Sequence, residues 1–287
     1  MTTSPPIKAI ILLAYLSLIF ILTIVSADSD AELDLSNSVG TSSFIIMQAL
    51  SVILLFMVPA LLFVLFTSDK KLHYFKLIGF NPALALIVII LLFAIMPLIN
   101  WTGEINSHLS LPDFMSGIED WMKASEERAR ELTEALLDMN GVGDLLVNII
   151  VVALLAAIGE ELLFRGALQN VFLEWTKNSH IAVWVTAILF SALHAQFYGF
   201  LPRMLLGVAL GYLYIWSGSL WLPMLFHFLN NGLAVLFAYL IGKGVISKSA
   251  ETIGAGETPV YFVMVSAVVS VWLMYFVYKG RTIPIKN

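Results

Sequence analysis

Long apolar runs separated by short polar stretches dominate the chain. Residues 9–27, 43–67, 82–100, 145–173, 181–198, 202–216, 220–241 and 259–278 consist almost wholly of aliphatic and aromatic side chains. Most approach the ~20 residues that an α-helix needs to cross a bilayer. The pattern therefore predicts an all-α polytopic membrane helical bundle of about eight transmembrane helices. One interval has a different period. Over 116–139, Ile118, Trp121, Met122, Ala129, Leu132, Leu136 and Met139 recur at helical spacing opposite Glu126, Glu127, Arg128, Arg130, Glu131 and Glu134. That is one amphipathic extramembrane helix, with Ser116 and Glu119 spaced as a capping box at its start. Its acidic face disfavours anionic lipid and predicts a helix lying on the membrane surface or against the bundle.

The first run ends in Val25-Ser26-Ala27, which also fits a signal peptide. At about 19 residues it exceeds the apolar core of such peptides, so a retained helix is expected. An acidic loop follows at Asp28, Asp30, Glu32 and Asp34. The whole reads as one membrane unit over 1–287, divisible into 1–142, a core over 143–242, and a loop with the last span over 243–287. Within the sixth run, Gly207 and Gly211 form a small-xxx-small face for close helix packing.

Composition sharpens the class. The chain has 287 residues, 60% hydrophobic and 12% charged, with a mean hydropathy of +0.91, which excludes an ordinary soluble domain. The net charge of -5 reflects short acidic segments, and no basic patch points to nucleic acid. With no cysteine, disulfides, thiolate metal sites and thiol nucleophiles are excluded. Lys8, Lys70, Lys71, Lys76, Lys177, Lys279, Arg281 and Lys286 fall on one side if the number of crossings is even; Arg203, Lys243 and Lys248 fall on the other. The majority places both termini in the cytoplasm.

Three ionisable residues interrupt the fourth run: Glu160, Glu161 and Arg165. Each costs roughly 2.5–3.5 kcal/mol near the bilayer centre. Glu161 and Arg165 stand four apart in the order that favours a same-face ion pair. Glu160 points about 100° away and is the free carboxylate, suited to proton transfer or metal binding. His194 lies in the fifth run, and His227 and Asn231 share one face of the seventh. Asn230 also lies within a turn of His227, and helix geometry alone does not choose between the two asparagines. Pro223, four residues before His227, is either a first-turn proline or a bend that aims the imidazole.

The order and apolar setting of Glu160-Glu161-Leu-Leu-Phe-Arg165, Phe190-Ser-Ala-Leu-His194 and His227 with Asn231 resemble the CPBP family of CAAX-protease and bacteriocin-processing intramembrane endopeptidases, also called ABI. The match runs over about 145–235; residues 1–140 carry no such signature. The resemblance implies hydrolysis of a peptide bond in a membrane-associated or lipidated peptide, in the inner membrane of a prokaryote. It implies Glu160 as base, His194 sharing the water, His227 and Asn231 as oxyanion donors, and Arg165 holding Glu161. Two mechanisms use these residues. In one, Glu160, His194 and His227 ligate Zn2+ or another divalent metal with an open fourth position; the other is metal-free. Helix rise places His227 about 10 Å and His194 about 20 Å from the cytoplasmic ends, more than one metal spans unless the helices tilt. Transport by a proton-coupled permease, which also uses intramembrane Glu, His and Arg, is the rival function, and a noncatalytic immunity or scaffold protein is the third. The bilayer and a membrane peptide are the expected partners.

Overall fold

The computed structural model describes residues 3–28, 38–68, 71–247, 249, 253–256 and 258–280. Asp30, Glu32, Asp34, Lys70, Lys248, Arg281 and Lys286 lie outside them. The helices are α1 (Pro5–Asp28), α2 (38–67, passing through a π-helical turn at Ile53–Met57), α3 (Pro82–Ser107), α4 (Ser116–Leu136), α5 (Val142–Thr176), α6 (Ser179–Ala192), α7 (Phe200–Ser217), α8 (Trp221–Gly242) and α9 (Val260–Lys279). No strand forms among the described residues beyond an isolated bridge, Ile253 to Ala255. Six helical segments are long and apolar enough to cross a membrane, and Pro5–Ile21 and Ser179–Ala192 are shorter apolar helices. The expected all-α bundle of about eight apolar helices plus one amphipathic helix is what the structure shows.

The boundaries that differ most from expectation are the ends of α3 and α6. Helix α3 runs to Ser107 rather than 100, continuing through Gly103, with the buried Asn106 anchored to the Phe197 carbonyl. Helix α6 stops at Ala192 rather than 198, where Leu193 caps it and Ala195 takes a left-handed φ of 51°. Its 14 residues span about 21 Å, short of the ~30 Å hydrocarbon core. The 193–199 segment then carries the chain to α7 through a short 3-10 turn at Phe197–Gly199. The capping box does not form. Met115 is the N-cap without a side-chain bond, while Glu119 accepts from the Leu111 amide at 3.0 Å and pairs with Lys123 at 2.7 Å. Pro223 lies in the first turn of α8, where its missing amide breaks no helical hydrogen bond.

Two apolar clusters hold the bundle, each drawing on both sides of residue 142. One joins α1, α2, α5 and α6 through Leu12, Phe63, Leu163 and Phe190; the other joins α3, α7, α8 and α9 through Leu91, Leu210, Phe226 and Val277. Lys8 pairs with Glu174 at 3.1 Å, Lys76 stacks on Tyr214 at 4.6 Å, Lys177 caps α5, and Lys279 ends α9. These four lysines lie at one end of the bundle; burial pushes the Lys76 ammonium below its usual range. Helix α4 lies at the opposite end, as does Lys243, which donates to the Asn140 carbonyl at 2.7 Å.

Candidate active site

Helix α5 is not uniform. A short α-helical stretch, Ala156–Glu161, is bracketed by π-helical turns at Ile149–Leu155 and Leu162–Gln169, the kind of helical irregularity that concentrates at functional sites. Glu161 and Arg165 are fully buried and meet at 2.7 Å. The same Glu161 Oε1 accepts from His227 Nδ1 at 2.9 Å, so one carboxylate neutralises the arginine and fixes the imidazole tautomer. The second arm of Arg165 donates to the Gly207 carbonyl at 3.0 Å, and Gln169, one turn on, donates to Gly211 O at 3.0 Å. The two glycines make this possible. A Cβ at Gly207 would stand 3.1 Å from Ala187 Cβ, and one at Gly211 would stand 2.9 Å from Gln169 Oε1 and from Val183. Helix α7 thus approaches α5 and α6 closely enough to present backbone acceptors to buried donors.

Glu160 is arranged differently. Its side chain is 14% exposed, and its Oε2 faces His227 Nε2 at 3.9 Å with no hydrogen-bond partner among the described residues. Because Nδ1–H donates to Glu161, the Nδ1–H tautomer of His227 turns its Nε2 lone pair toward Glu160. Asn231 donates to the Val152 carbonyl on α5 at 3.4 Å, and Asn230 donates to Asn231 Oδ1 at 3.2 Å. A cavity of about 330 Å³ between α3 and α8 is lined by Asn230, Asn100 and apolar residues including Leu92 and Phe237. A larger cavity of about 830 Å³ near Glu104 and Phe262 is lined by none of these site residues.

His194 lies past the end of α6, not within a helix as its apolar surroundings suggest. Its Nδ1 bonds the Phe190 carbonyl at 2.7 Å, which as a pure acceptor requires the proton on Nδ1 and leaves Nε2 with a lone pair. The Phe190 ring packs edge-on against His194 at 5.0 Å and His227 at 6.0 Å, and the Arg165 guanidinium lies over it at 4.7 Å. Phe190 is therefore the apolar partition that touches three members of the site. Its role was carried in the motif spacing but not assigned from sequence. The described residues contain no group of three His, Asp or Glu close enough to hold a metal ion. Glu160 and His227 come together, while His194, whose Nδ1 bonds the Phe190 carbonyl, does not join them in such a group.

Two other residues escaped the sequence reading. Arg203 of α7, which counted only toward orientation, donates to the Gln196 side chain at 2.7 Å and lies within electrostatic reach of Glu160 and Glu126. Asn106 of α3 is buried and bonds both Phe197 O at 2.8 Å and the Leu201 amide at 2.6 Å. An asparagine near the end of an apolar run was the only available signal.

Apolar helices around a buried carboxylate, imidazole and guanidinium centre define an integral multi-pass membrane protein with a polar site inside its bundle. Residues 142–233 match the family described as type II CAAX prenyl endopeptidase Rce1-like, which bears out the resemblance drawn from the three motifs over that segment. The chain is 36% identical over 86 residues to the uncharacterized protein YpbD of Bacillus subtilis (strain 168), covering 29% of this chain and 41% of that protein. It is also 33% identical over 102 residues to an uncharacterized 24.3 kDa protein of Escherichia coli, covering 33% of this chain and 46% of that one. The chain thus spans less than half the length of either of these curated relatives. No solved structure matches.

Proposed function

We propose that the protein is an intramembrane endopeptidase that hydrolyses a peptide bond of a membrane-associated or lipidated peptide with water activated by Glu160 and His227. One observation carries this reading: the unpartnered Glu160 Oε2 faces His227 Nε2 across 3.9 Å. That gap is too long for a direct hydrogen bond and within the range that a bridging water fills. The water donates one hydrogen bond to Glu160 Oε2 and the other to His227 Nε2, leaving an oxygen lone pair for the scissile carbonyl carbon. As the C–O bond forms, Glu160 takes the water proton and the carbonyl π pair moves to oxygen. The Asn231 Nδ2 group, which donates to Val152 O at 3.4 Å, exchanges that acceptor for the oxyanion. Collapse breaks the C–N bond, and Glu160 delivers its proton to the leaving amine. His194 Nε2 orders the water or a substrate N–H from the edge of the site. Glu161 and Arg165 orient His227 and do not touch the reacting atoms. No step is routed through a metal.

The membrane is the inner membrane of a prokaryote, an assignment supported by bacterial relatives. The end carrying Lys8, Lys76, Lys177 and Lys279 faces the cytoplasm, which puts both termini there.

The test is a quenched-fluorescent peptide ending in a farnesylated Cys-aliphatic-aliphatic-X sequence, offered beside its unprenylated form to full-length protein in liposomes. Glu160→Gln should lower the rate roughly 10²- to 10⁴-fold with unchanged yield of folded protein. Mass spectrometry of the product separates cleavage from transport. Retained cleavage in the variant discards the role of Glu160, and a rate lost to 1,10-phenanthroline and restored by zinc overturns the metal-free step.

A further inference from the structure

Residues 193–199 leave α6 through a turn at the buried Ala195 and a 3-10 turn at Phe197–Gly199, and buried backbone polar groups outside regular helix must be satisfied by partners from the surrounding protein. Part of that satisfaction comes from outside the family-matched segment. Ser125 of α4 is buried and its hydroxyl donates to the Ala195 carbonyl at 3.1 Å. Ala195 follows His194 directly and holds a φ of 51° without being glycine, a conformation that persists only when its surroundings enforce it. Two further contacts dock α4 on the same loop. Trp121 packs against Phe197 with ring centroids 5.2 Å apart, and Glu126 accepts from the Tyr198 amide at 3.4 Å. The opposite face of α4 carries the Glu127, Arg130 and Glu134 ion pairs and makes no claim on the site.

We infer that Ser125 and Trp121 are positioning residues that hold the left-handed turn at Ala195 and thereby set the His194 imidazole against Phe190. Helix α4 is in this respect part of the catalytic apparatus, acting through the loop rather than on substrate. The inference deepens the proposed function and rests on it for its kinetic consequence, while the loop geometry is testable without substrate.

The experiment uses the full chain in liposomes, with Ser125→Ala, Trp121→Ala, Ser125→Thr as the conservative rescue, and Glu127→Gln on the solvent face as control. Amide hydrogen exchange over 193–199 should rise about tenfold in the first two variants. On the farnesylated peptide their kcat should fall about tenfold with KM within about twofold. Ser125→Thr should restore both readings, and Glu127→Gln should change neither. Because the chain has no cysteine, Ser125→Cys combined with Ala195→Cys admits a short thiol crosslinker at one place, and the crosslinked protein should keep its activity. Unchanged exchange and kcat in both variants overturn the inference, as does activity abolished by the crosslink, which would make α4 a gate that has to leave. A loop that loosens in Ser125→Ala while the wild type cleaves nothing discards the endopeptidase reading and leaves the brace standing.

Discussion

The two histidines of the site are held by opposite means. His227 sits in the middle of continuous helix, buried, and its ring is fixed by a charged side chain, Glu161, which Arg165 fixes in turn. His194 sits past a helix end with its ring on a neutral backbone acceptor, the Phe190 carbonyl, and the chain around it is fixed through Ser125, Asn106 and Ser191 on neighbouring carbonyls and amides. The first arrangement concentrates its free energy in one desolvated charge cluster. The second spreads it over several neutral bonds, each worth about 1 kcal/mol net. Removing one partner should therefore be severe in the first region and graded in the second.

Arg165→Ala gives the largest expected effect. It leaves Glu161 buried without its counter-charge, which costs about 3–5 kcal/mol, and thermal unfolding in detergent followed by tryptophan fluorescence should show little folded protein. A pair replaced together, Arg165→Met with Glu161→Leu, should recover much of the stability without activity, because the uncompensated charge is gone but His227 has lost its acceptor. Equal damage in single and double variants would mean that the charge cluster is not what governs this region. Asn106→Ala comes next. It frees the Phe197 carbonyl and the Leu201 amide at a cost of about 1–3 kcal/mol, and hydrogen exchange should localise the loss to the 193–201 segment rather than the whole bundle. Global unfolding in this variant would erase the contrast. The smallest effect lies at the edge of α4. Lys123, and then the Leu111 amide, hold the Glu119 carboxyl below the usual carboxylate range. A group depressed in the folded state contributes stability above its unfolded pKa and loses it as pH falls through the lower folded value. Acidification to that range should raise exchange over 109–119, and Glu119→Gln should abolish this pH dependence.

How much could be read from sequence follows the same division. The helices were legible because nearly every crossing is a long apolar run, and the Glu161 to Arg165 pair was legible because it depends only on helical spacing. The nearness of Glu160 to His227 came from motif order, since 66 residues separate Glu161 from its histidine. The end of α6 was not legible: Ala192-Leu193-His194-Ala195 contains no glycine or proline, and the break is imposed by contacts from α3 and α4. Asn106 and Ser125 meet partners 91 and 70 positions away, a distance at which composition and periodicity say nothing. Ser116 and Glu119 show the converse error, a correct local signal overridden because Leu111 and Lys123 compete for the same carboxylate.

The brevity of α6 has a consequence for the surrounding lipid. A helix about six residues under the usual crossing length would create hydrophobic mismatch if it crosses upright, and acyl chains beside it would then compress or give way to solvent. A dimple over the His194 turn would shorten the path by which water reaches Glu160 from that leaflet. Acyl-chain length in the host bilayer would then act as a control on hydration of the centre.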